Sequence, residues 1–407
     1  MPGKQALDGV TVLDCSQILA GPFCSMHLSD MGANVIKVEK PGGGDDTGRM
    51  GPPFIAGESA GFIQLNRNKR SIVLNFRANR GKNAFIRLAK KADVLIENYR
   101  PGTMDRLGLG YDDLNQLNPS LIYCSISGFG RTGPYAKRAG FDLIAQGMSG
   151  IMSFNGMPDS PPVKVGVPLA DLNAGMFALS GILTAYVHRL KTGEGQHIEV
   201  SLLESALSYS VWESSGYFAT GDIPGPLGST HRLSAPYQAI RTADGYLNIG
   251  APNQANWERL VRAIGREDLL ADNRFKDNPS RLGAKMELNK ELEITFVQHP
   301  RSYWMNVLED AGVPAGPILD MEEVWSNEQI QARNMDVQLE HKTAGMVRNI
   351  GIVAKLSVTP GAIEKSSPLL GEHTDEILEF AGYSQAQIES LRAEGIAGPD
   401  ALISRTG

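Results

Sequence analysis

The 407-residue chain has few cysteines, little net charge and no long uninterrupted apolar run. Its three cysteines (Cys15, Cys24 and Cys124) are too few and too scattered for a disulfide framework or a zinc site, which favours a reducing compartment such as the cytoplasm. A formal net charge of −6 argues against a nucleic-acid partner. The most apolar window, residues 169–187, contains Asp171 and further polar residues, so we predict a buried helix there and no membrane partner.

Familiar catalytic motifs are also scarce. "GFGRTG" (128–133) follows a predicted strand, but Pro134 comes directly after it, where a dinucleotide-binding motif requires a helix. "GESAG" (57–61) lacks the strand and helix that would make Ser59 a nucleophile. The seven histidines show no metal-ligand spacing, so we predict no metal site.

What the sequence does contain is an alternation of strands and helices. Short β-branched runs are separated by helical patterns, which predicts an α/β fold with a mostly parallel sheet. The predicted strands are 9–15, 33–39, 71–76, 93–98, 121–127 and 195–201. Two further helices are predicted at 172–191, which is rich in small residues, and at 202–218.

The composition changes in the second half of the chain. Residues 219–236 are rich in Gly, Pro and Ser and are typical of a linker. A hairpin is predicted around Asp244 and Gly245, followed by helical segments. We therefore predict a large domain made of residues 1–218 and 326–407, and a linker with a small α+β domain at 219–325.

A lone carboxylate, Asp171, lies where the extended "PPVKVGVPLA" (161–170) meets the long helix. One interpretation is a helix N-cap, which would contribute about 1 kcal/mol to stability. The other is a nucleophile, since an ionised aspartate can attack an activated acyl group without a base. Such a nucleophile needs a dry site and donors for the developing oxyanion.

Several stretches, in order and spacing, resemble the class III CoA-transferases, the family of formyl-CoA transferase and the carnitine CoA-transferases. The matching stretches are 7–46, "NRNKRSIVLN" (66–75), 92–134, "RAGFD" (138–142), "VGVPLADLNAG" (165–175), 191–207 and "PLLGEHTDEIL" (368–378). The resemblance covers nearly the whole chain. It is closest to the branch that moves CoA from succinyl-CoA to a dicarboxylate.

The resemblance implies a mechanism and an assembly. It makes Asp171 the nucleophile, which forms an acyl anhydride and then a CoA thioester during turnover. The substrates would be an acyl-CoA and a carboxylic acid, with no tightly bound cofactor and no metal. It also implies a Rossmann-like large domain with a parallel sheet, a smaller α+β domain, and a homodimer of interlocked chains.

The family pattern also assigns further site residues. Positions expected to contact CoA or border the active site are Leu19, Ala20, Lys40, Leu74, Asn98, Tyr99, Arg106, Arg138 and Asp142. Candidate contacts to the acid substrate are Gln17, Arg49, His231 and Arg232. Taken singly, cations such as Lys40 and Arg106 could equally be solvated surface charges. His231 and Arg232 could be exposed linker residues.

Some features depart from the pattern and leave alternatives open. The segment at 228–238 is shorter than the glycine-rich active-site loop of formyl-CoA transferase. This difference argues against oxalate and formate as the substrates. An α-methylacyl-CoA racemase would keep the aspartate but needs a histidine where this chain has Phe141. CoA transfer to oxalate or carnitine-type acids, a racemase and a non-catalytic CoA-binding scaffold therefore remain the alternatives.

Overall fold

The computed structural model describes residues 5–399 and Ala401. The chain separates into two compact units. The larger takes in the chain up to Ile151, Lys164–Ser215 and the chain from Glu328 onward. The smaller is made of Met152–Val163 and Gly216–Asn327.

The strands follow the β-branched runs of the sequence. They are β1 (Thr11–Asp14), β2 (Asn34–Glu39), β3 (Phe54–Ile55), β4 (Glu58–Ser59), β5 (Arg70–Val73), β6 (Val94–Glu97), β7 (Ile122–Ser127), β8 (His197–Ser201), β9 (Tyr237–Arg241), β10 (Tyr246–Gly250), β11 (Ala315–Pro317), β12 (Asp336–His341) and β13 (Gly345–Ile350). The six strands predicted for the first half are all present.

A six-stranded parallel sheet organises the larger unit. Its order is β5–β2–β1–β6–β7–β8, and every neighbouring pair is parallel. Counted along the chain, these strands run third, second, first, fourth, fifth and sixth, which is the order of a Rossmann-like sheet. The order reverses between β1 and β6, and ligands of such sheets bind outside the carboxyl ends of the strands at that point. The predicted α/β fold with a parallel sheet is confirmed.

The helices connect and cover the strands. They are α1 (Ala20–Asp30), α2 (Ala60–Leu65), α3 (Asn79–Ala89), α4 (Thr103–Arg106), α5 (Tyr111–Asn115), α6 (Asp142–Met148), α7 (Ile151–Phe154), α8 (Leu169–Thr192), α9 (Leu202–Leu207), α10 (Val211–Thr220), α11 (Gln254–Ala263), α12 (Asn278–Gly283), α13 (Lys285–Phe296), α14 (Arg301–Asp310), α15 (Met321–Ser326), α16 (Glu328–Ala332), α17 (Thr374–Phe380) and α18 (Gln385–Ala393). Short 3₁₀ turns occupy Asp46–Arg49, Ser208–Ser210 and Glu267–Leu270. The single helix predicted at 202–218 is thus interrupted by a 3₁₀ turn.

The core of the larger unit lies between the sheet and the helices on one of its faces. Leu13 and Leu95 from the strands meet Phe85 and Leu88 from α3, and Leu391 from α18 completes this layer; all five are fully buried. Burying side chains of this size is the main favourable term in folding.

The smaller unit has its own core. Its three-stranded antiparallel sheet has the order β11–β10–β9, and β9 and β10 form the hairpin predicted around Asp244 and Gly245. Trp257, Phe275 and Phe296 are completely buried beside this sheet. Within residues 5–399, none of the helices is long and apolar enough to cross a membrane.

Candidate active site

Asp171 lies in the first turn of α8, as its third residue. The helix begins at Leu169 and its N-cap is Pro168, which offers no side-chain hydrogen bond. The N-cap interpretation of Asp171 is therefore wrong. Asp171 is half-buried, and the other interpretation, a nucleophile, remains a prediction.

The electrostatic setting of Asp171 is unusual for this position. A carboxylate in the first turn of a helix is normally stabilised by the helix dipole. Here burial, together with the negative charge of Asp142, raises the pKa of Asp171 from its ordinary value of 3.8 to about 6. At pH 7 the ionised form still exceeds the protonated form about tenfold, so a more basic carboxylate is available without a separate base.

Asp142 begins α6 and reaches across to α8. Its Oδ1 accepts a hydrogen bond from the backbone N–H of Ala170 at 2.8 Å. Its Oδ2 accepts one from Nε2 of Gln146 at 2.7 Å. Asp142 therefore supplies the acceptor that Pro168 cannot, and it places a second acidic group beside Asp171.

The turn between β1 and α1 approaches the same part of α8. Leu19 precedes α1, has no capping side chain, and is followed by Ala20 as the first helical residue. A Cβ added at Gly175, one turn after Asp171, would lie 2.7 Å from the carbonyl oxygen of Ala20 and 3.0 Å from the Phe23 ring. The structure thus brings Ala20 close to α8 one turn after Asp171.

Backbone strain marks this turn. Ile18 has a φ of +70°, a conformation that is unfavourable for a β-branched residue. Two hydrogen bonds hold Ile18 in this conformation. Its N–H donates to Oδ1 of Asp45 at 3.0 Å. The hydroxyl of Thr47 donates to its carbonyl oxygen at 2.9 Å. Because bonds on both sides hold Ile18, the strained turn between β1 and α1 is fixed in place.

Beneath the turn lies a buried group of charges. The carboxylate of Asp14 is fully buried and receives Nζ of Lys69 at 3.0 Å, with Nζ of Lys37 at 3.9 Å. Burial alone would raise the pKa of Asp14, but the two ammonium groups and the hydroxyls of Ser16 and Ser25 hold it well below its usual range. Lys37 also donates to the carbonyl oxygen of Ser16 at 3.1 Å. The turn thus rests on a charge network that is fully paired.

The two strands at the reversal point are joined by side chains. Asn98, after β6, accepts the N–H of Gln17 at 2.8 Å and donates to the carbonyl oxygen of Gln17 at 2.7 Å. Gln17 follows β1 by three residues, so this pair spans the crevice predicted by the sheet order. Its role is to fix the loop.

A cleft opens beside this crevice at the ends of β2, β5 and β6. One cavity of about 340 Å³ is lined by Lys40, Pro41, Gly42, Arg49, Leu74, Asn75, Phe76 and Arg77. A second of about 290 Å³ is lined by Lys40, Phe76, Arg77, Tyr99, Thr103, Arg106 and Leu107. Shared walls make them one cleft, with four cationic side chains around apolar surface. This chemistry suits a phosphorylated nucleotide.

Several predicted CoA contacts therefore lie together. Lys40, Leu74, Tyr99 and Arg106 all line the cleft. Asn98 precedes Tyr99 directly. Arg138 does not line either cavity; its guanidinium stacks 3.9 Å from the centre of the Tyr135 ring.

The cations at one end of the cleft share an acidic partner. Oδ1 of Asp46 accepts from Nζ of Lys40 at 2.8 Å and from Nη2 of Arg49 at 2.5 Å. Lys40 also donates to Oε1 of Gln17 at 2.9 Å. Arg49, predicted to contact the acid, thus lies in the same cavity as the predicted CoA contacts. Gln17, also predicted to contact the acid, is linked to this cavity by its hydrogen bond with Lys40.

His231 and Arg232 belong to the smaller unit. The N–H of His231 donates to the carbonyl oxygen of Tyr237 at 3.1 Å, and its ring contacts that of Tyr237 edge-on with centroids 5.2 Å apart. Arg232 donates to the carbonyl oxygen of Gly225 at 3.0 Å. Both side chains are partly exposed, and their role as acid contacts stays a prediction.

Sequence reasoning missed three residues. Phe76 and Arg77 follow β5 and line both cavities. The rule that ligands contact loops after parallel strands would have found them, had it been applied at the end of β5. Gln146 is fully buried and holds Asp142, and nothing in the local sequence indicates this.

The weak motifs fall elsewhere. Ser59 is buried, caps α2 by accepting from the N–H of Phe62, and donates to the carbonyl oxygen of Met50. The "GFGRTG" stretch leads into a loop closed by the contact of Gly128 with Gly140, where a Cβ on either would clash with the other's backbone. Among the residues that the structure describes, no three His, Cys, Asp or Glu side chains are grouped to hold a metal ion.

Comparison with known proteins gives consistent findings. The family model of CoA-transferase family III matches residues 7–374. A succinyl-CoA:glutarate CoA-transferase of Mus musculus is 39% identical over 391 residues, covering 96% of this chain and 90% of that protein. An acetyl-CoA:oxalate CoA-transferase of Acetobacter aceti is 41% identical over 333 residues, covering 82% and 85%. The crystal structure of a CAIB/BAIF family protein from Brucella suis has a TM-score of 0.85 and 39% identity, covering 93% of this chain and all (100%) of that one.

Proposed function

The chain belongs to CoA-transferase family III and is an enzyme that transfers CoA between acids, and we propose that it does so through covalent intermediates on Asp171. The observation that carries this proposal is the half-buried Asp171 carboxylate in the first turn of α8, whose pKa burial and Asp142 raise to about 6. A carboxylate of that basicity is a better nucleophile than an ordinary aspartate and is still ionised at neutral pH.

The proposed cycle has four transfers and needs no net proton. A carboxylate oxygen of Asp171 attacks the donor thioester carbonyl, the C–S bond breaks, and a mixed anhydride and CoA thiolate result. The thiolate attacks the Asp171 carbonyl carbon and expels the donor acid as its carboxylate, leaving an aspartyl-CoA thioester. The acceptor carboxylate then displaces the thiolate to form a second anhydride. The thiolate finally attacks the acceptor's carbonyl, which releases the new acyl-CoA and the Asp171 carboxylate.

The surroundings of Asp171 fit these steps. Each tetrahedral intermediate carries an oxyanion, and we assign its stabilisation to the backbone N–H groups of Ala20 and Gly21 at the start of α1, a helix that packs against α8. Asp142 raises the basicity of the nucleophile. No general acid or base is required, which agrees with the apolar Phe141 where a racemase would need a titratable group.

We propose that the cationic cleft holds the nucleotide end of CoA. Lys40, Arg77 and Arg106 would contact phosphates, and Leu74 with Phe76 would cover the adenine. Because Arg49 lines the same cavity, we assign it to the phosphates instead of the acid. Leu19 and Ala20 would flank the thioester end.

For the acid we propose a dicarboxylate, with succinyl-CoA as donor. Support comes from the similar protein that is named for succinyl-CoA and glutarate. The similar protein named for acetyl-CoA and oxalate supports the alternative. Of the predicted acid contacts, Arg232 has the guanidinium that suits a second carboxylate, and His231 offers a ring N–H donor.

We also propose a homodimer of interlocked chains in the cytoplasm. Helix α8 buries Ala174 and Ala178 but exposes Leu183, Val187 and Leu190, at 39%, 49% and 71%. A stripe of large apolar side chains on one helix face is typical of an interface with another chain.

Two experiments test the proposal. Hydroxylamine added during turnover should convert the side chain of residue 171 into a hydroxamate that mass spectrometry detects. The Asp171→Asn substitution should abolish both this product and CoA exchange. A folded Asp171→Asn variant that still exchanges CoA at the native rate would overturn the mechanism. Crossing succinyl-CoA and acetyl-CoA with glutarate, oxalate and short monocarboxylates tests the acid assignment, which fails if oxalate or the monocarboxylates react best.

A further inference from the structure

Gln146 is a buried side chain at one edge of the candidate active site, and both its amide nitrogen and its amide oxygen are hydrogen-bonded. It lies on α6 with no exposed surface. Its Nε2 donates to Oδ2 of Asp142 at 2.7 Å and to the carbonyl oxygen of Val167 at 3.3 Å. Its Oε1 accepts from the N–H of Val165 at 2.8 Å. A single amide thus joins a carboxylate to two backbone groups of the segment before α8.

That segment also has hydrogen bonds from Nδ2 of Asn155 to the carbonyl oxygen of Val163 at 3.1 Å and from the N–H of Leu169 to that of Val167 at 2.8 Å. Residues 163–168 form no helix or strand, and α8 starts without a capping side chain because its N-cap is Pro168. The first turn is held instead by Oδ1 of Asp142, which accepts from Ala170. Since Asp142 and Gln146 are four residues apart on α6, they face the same side of that helix and act as a pair.

The pair therefore attaches the chain at three places just before Asp171: Val165, Val167 and Ala170. Two of these bonds come from Gln146 directly. The third depends on Gln146 because its Nε2 fixes the rotamer of Asp142. A substitution at Gln146 would remove the hydrogen bonds that hold the segment before α8, and Asp171 itself would be unchanged.

We propose that Gln146 is the positioning residue of the nucleophile, acting through Asp142 and residues 165–168 to set where the Asp171 carboxylate meets the thioester. This inference rests on the proposed function of Asp171. Displacements near 1 Å of a reacting group reduce rates by about 100-fold, so the effect on chemistry is measurable. The cleft proposed for the nucleotide is built from other elements, the loops after β2, β5 and β6, so its affinity for CoA does not depend on Gln146.

The test separates positioning from general stability. Gln146→Met keeps the length and volume of the side chain and removes its polar groups. We expect the rate of acyl-enzyme formation, followed by quench-flow and hydroxamate trapping, to fall at least tenfold, with the Kd of free CoA within twofold of the native value. The matched control is Gln64→Met, because Gln64 also donates to the carbonyl oxygen of Arg348 and accepts from the N–H of Ile350. It should leave both quantities unchanged.

A second variant covers the case in which Gln146→Met fails to fold. Gln146→Glu keeps the shape, but its amide donor toward Asp142 becomes a carboxyl that donates only when protonated; the charged groups beside it are Asp142 and Asp171. The acyl-enzyme rate relative to the native enzyme should be higher at pH 6 than at pH 8. A folded Gln146→Met with a native rate, or a ratio for Gln146→Glu that does not change with pH, overturns the inference. If the Asp171→Asn variant also keeps its CoA-transfer activity, the proposed function fails. If Asp171→Asn is inactive and the Gln146 variants keep the native rate, only the inference about Gln146 fails.

Discussion

The carboxylate of Asp142 accepts the backbone N–H of Ala170 at 2.8 Å, and this bond places it beside the next residue, Asp171. The same acidic side chain therefore stabilises the start of α8 and destabilises the charge on its neighbour. Burial, together with this second effect, raises the pKa of Asp171 to about 6, in spite of the favourable helix dipole. Asp142 thus supports the start of α8 and also contributes to the basicity of the proposed nucleophile.

Acyl-enzyme formation should rise with pH along a limb centred near 6. In the proposed mechanism the ionised carboxylate of Asp171 is the nucleophile, and burial with the charge of Asp142 raises the pKa of Asp171 to about 6. Single-turnover rates with a donor acyl-CoA between pH 4.5 and 8 measure this without the acceptor acid. Asp142→Asn removes the neighbouring charge and should move the limb to lower pH. A native limb near pH 4 would contradict the prediction.

Asp171→Asn should make the protein more stable at neutral pH. Since the native pKa of about 6 exceeds the ordinary 3.8, the native state binds more protons than the unfolded state between these values, and the unfolding free energy falls as pH rises through that window. Removing the charge of Asp171 should raise the free energy of unfolding by roughly 2–3 kcal/mol at pH 7. Thermal unfolding at pH 7 and pH 4 checks this. The gain should be present at pH 7 and disappear at pH 4; equal gains at both would disprove it.

Arg77→Ala should weaken CoA binding with little effect on the chemical step. Arg77 lines both cavities of the cleft but contacts neither Asp171 nor its supports in the bonds described above. We expect the Kd of CoA to rise about tenfold, a typical loss for a charge-assisted phosphate contact. Titration calorimetry at two salt concentrations measures it. Lys90→Ala, an exposed cation at the end of α3, is the control and should bind CoA normally.

Gly175→Ala should destabilise the protein by about 1–3 kcal/mol, the usual cost of overpacking. The new Cβ would lie 2.7 Å from the carbonyl oxygen of Ala20, a backbone atom that cannot move aside without shifting α1. Gly216→Ala is the matched control, since it lies in helix α10 with no atom within 4 Å of its Cβ position. It should gain about 0.5–1 kcal/mol. Chemical denaturation compares the two, and equal tolerance of both would contradict the close packing of α1 and α8.

Leu190→Glu should dissociate the proposed dimer. Leu190 is 71% exposed on the apolar stripe of α8, and a buried unpaired carboxylate costs several kcal/mol at an interface. Sedimentation velocity should report a dimer for the native chain and a monomer for the variant. Ile294→Glu changes an exposed apolar side chain on α13 of the smaller unit, 59% exposed, and should leave the mass unchanged. A native monomer would refute the assembly.

The six strands of the parallel sheet and the long helix α8 could be predicted from the sequence, because β-branched runs and helical spacing report burial directly. Leu74 and Arg106 were expected to contact CoA because of the family resemblance, and both line the cleft. The start of α8 was predicted at Leu172, three residues late, because its N-terminal support is Asp142 from another helix and local sequence does not show it.

Other features depend on distant contacts and could not be predicted. The function of Gln146 arises only when α6 and the segment before α8 come together. Lys69 reads as a surface cation in the run "NRNKR", yet it is fully buried against Asp14, and burial lowers the pKa of Lys69 to about 8 despite this partner. Charge pattern along a chain does not reveal pairing across a fold.

That buried pair has a consequence for how descendants of this protein can diverge. Losing Asp14 alone leaves the buried Lys69 without a carboxylate partner, and losing Lys69 alone leaves Asp14 with the more distant Lys37; breaking a buried pair in this way costs about 3–5 kcal/mol. Joint replacement of both residues by apolar side chains can be nearly neutral. Because point mutations arise one at a time, we expect both residues of this pair to persist together among descendants.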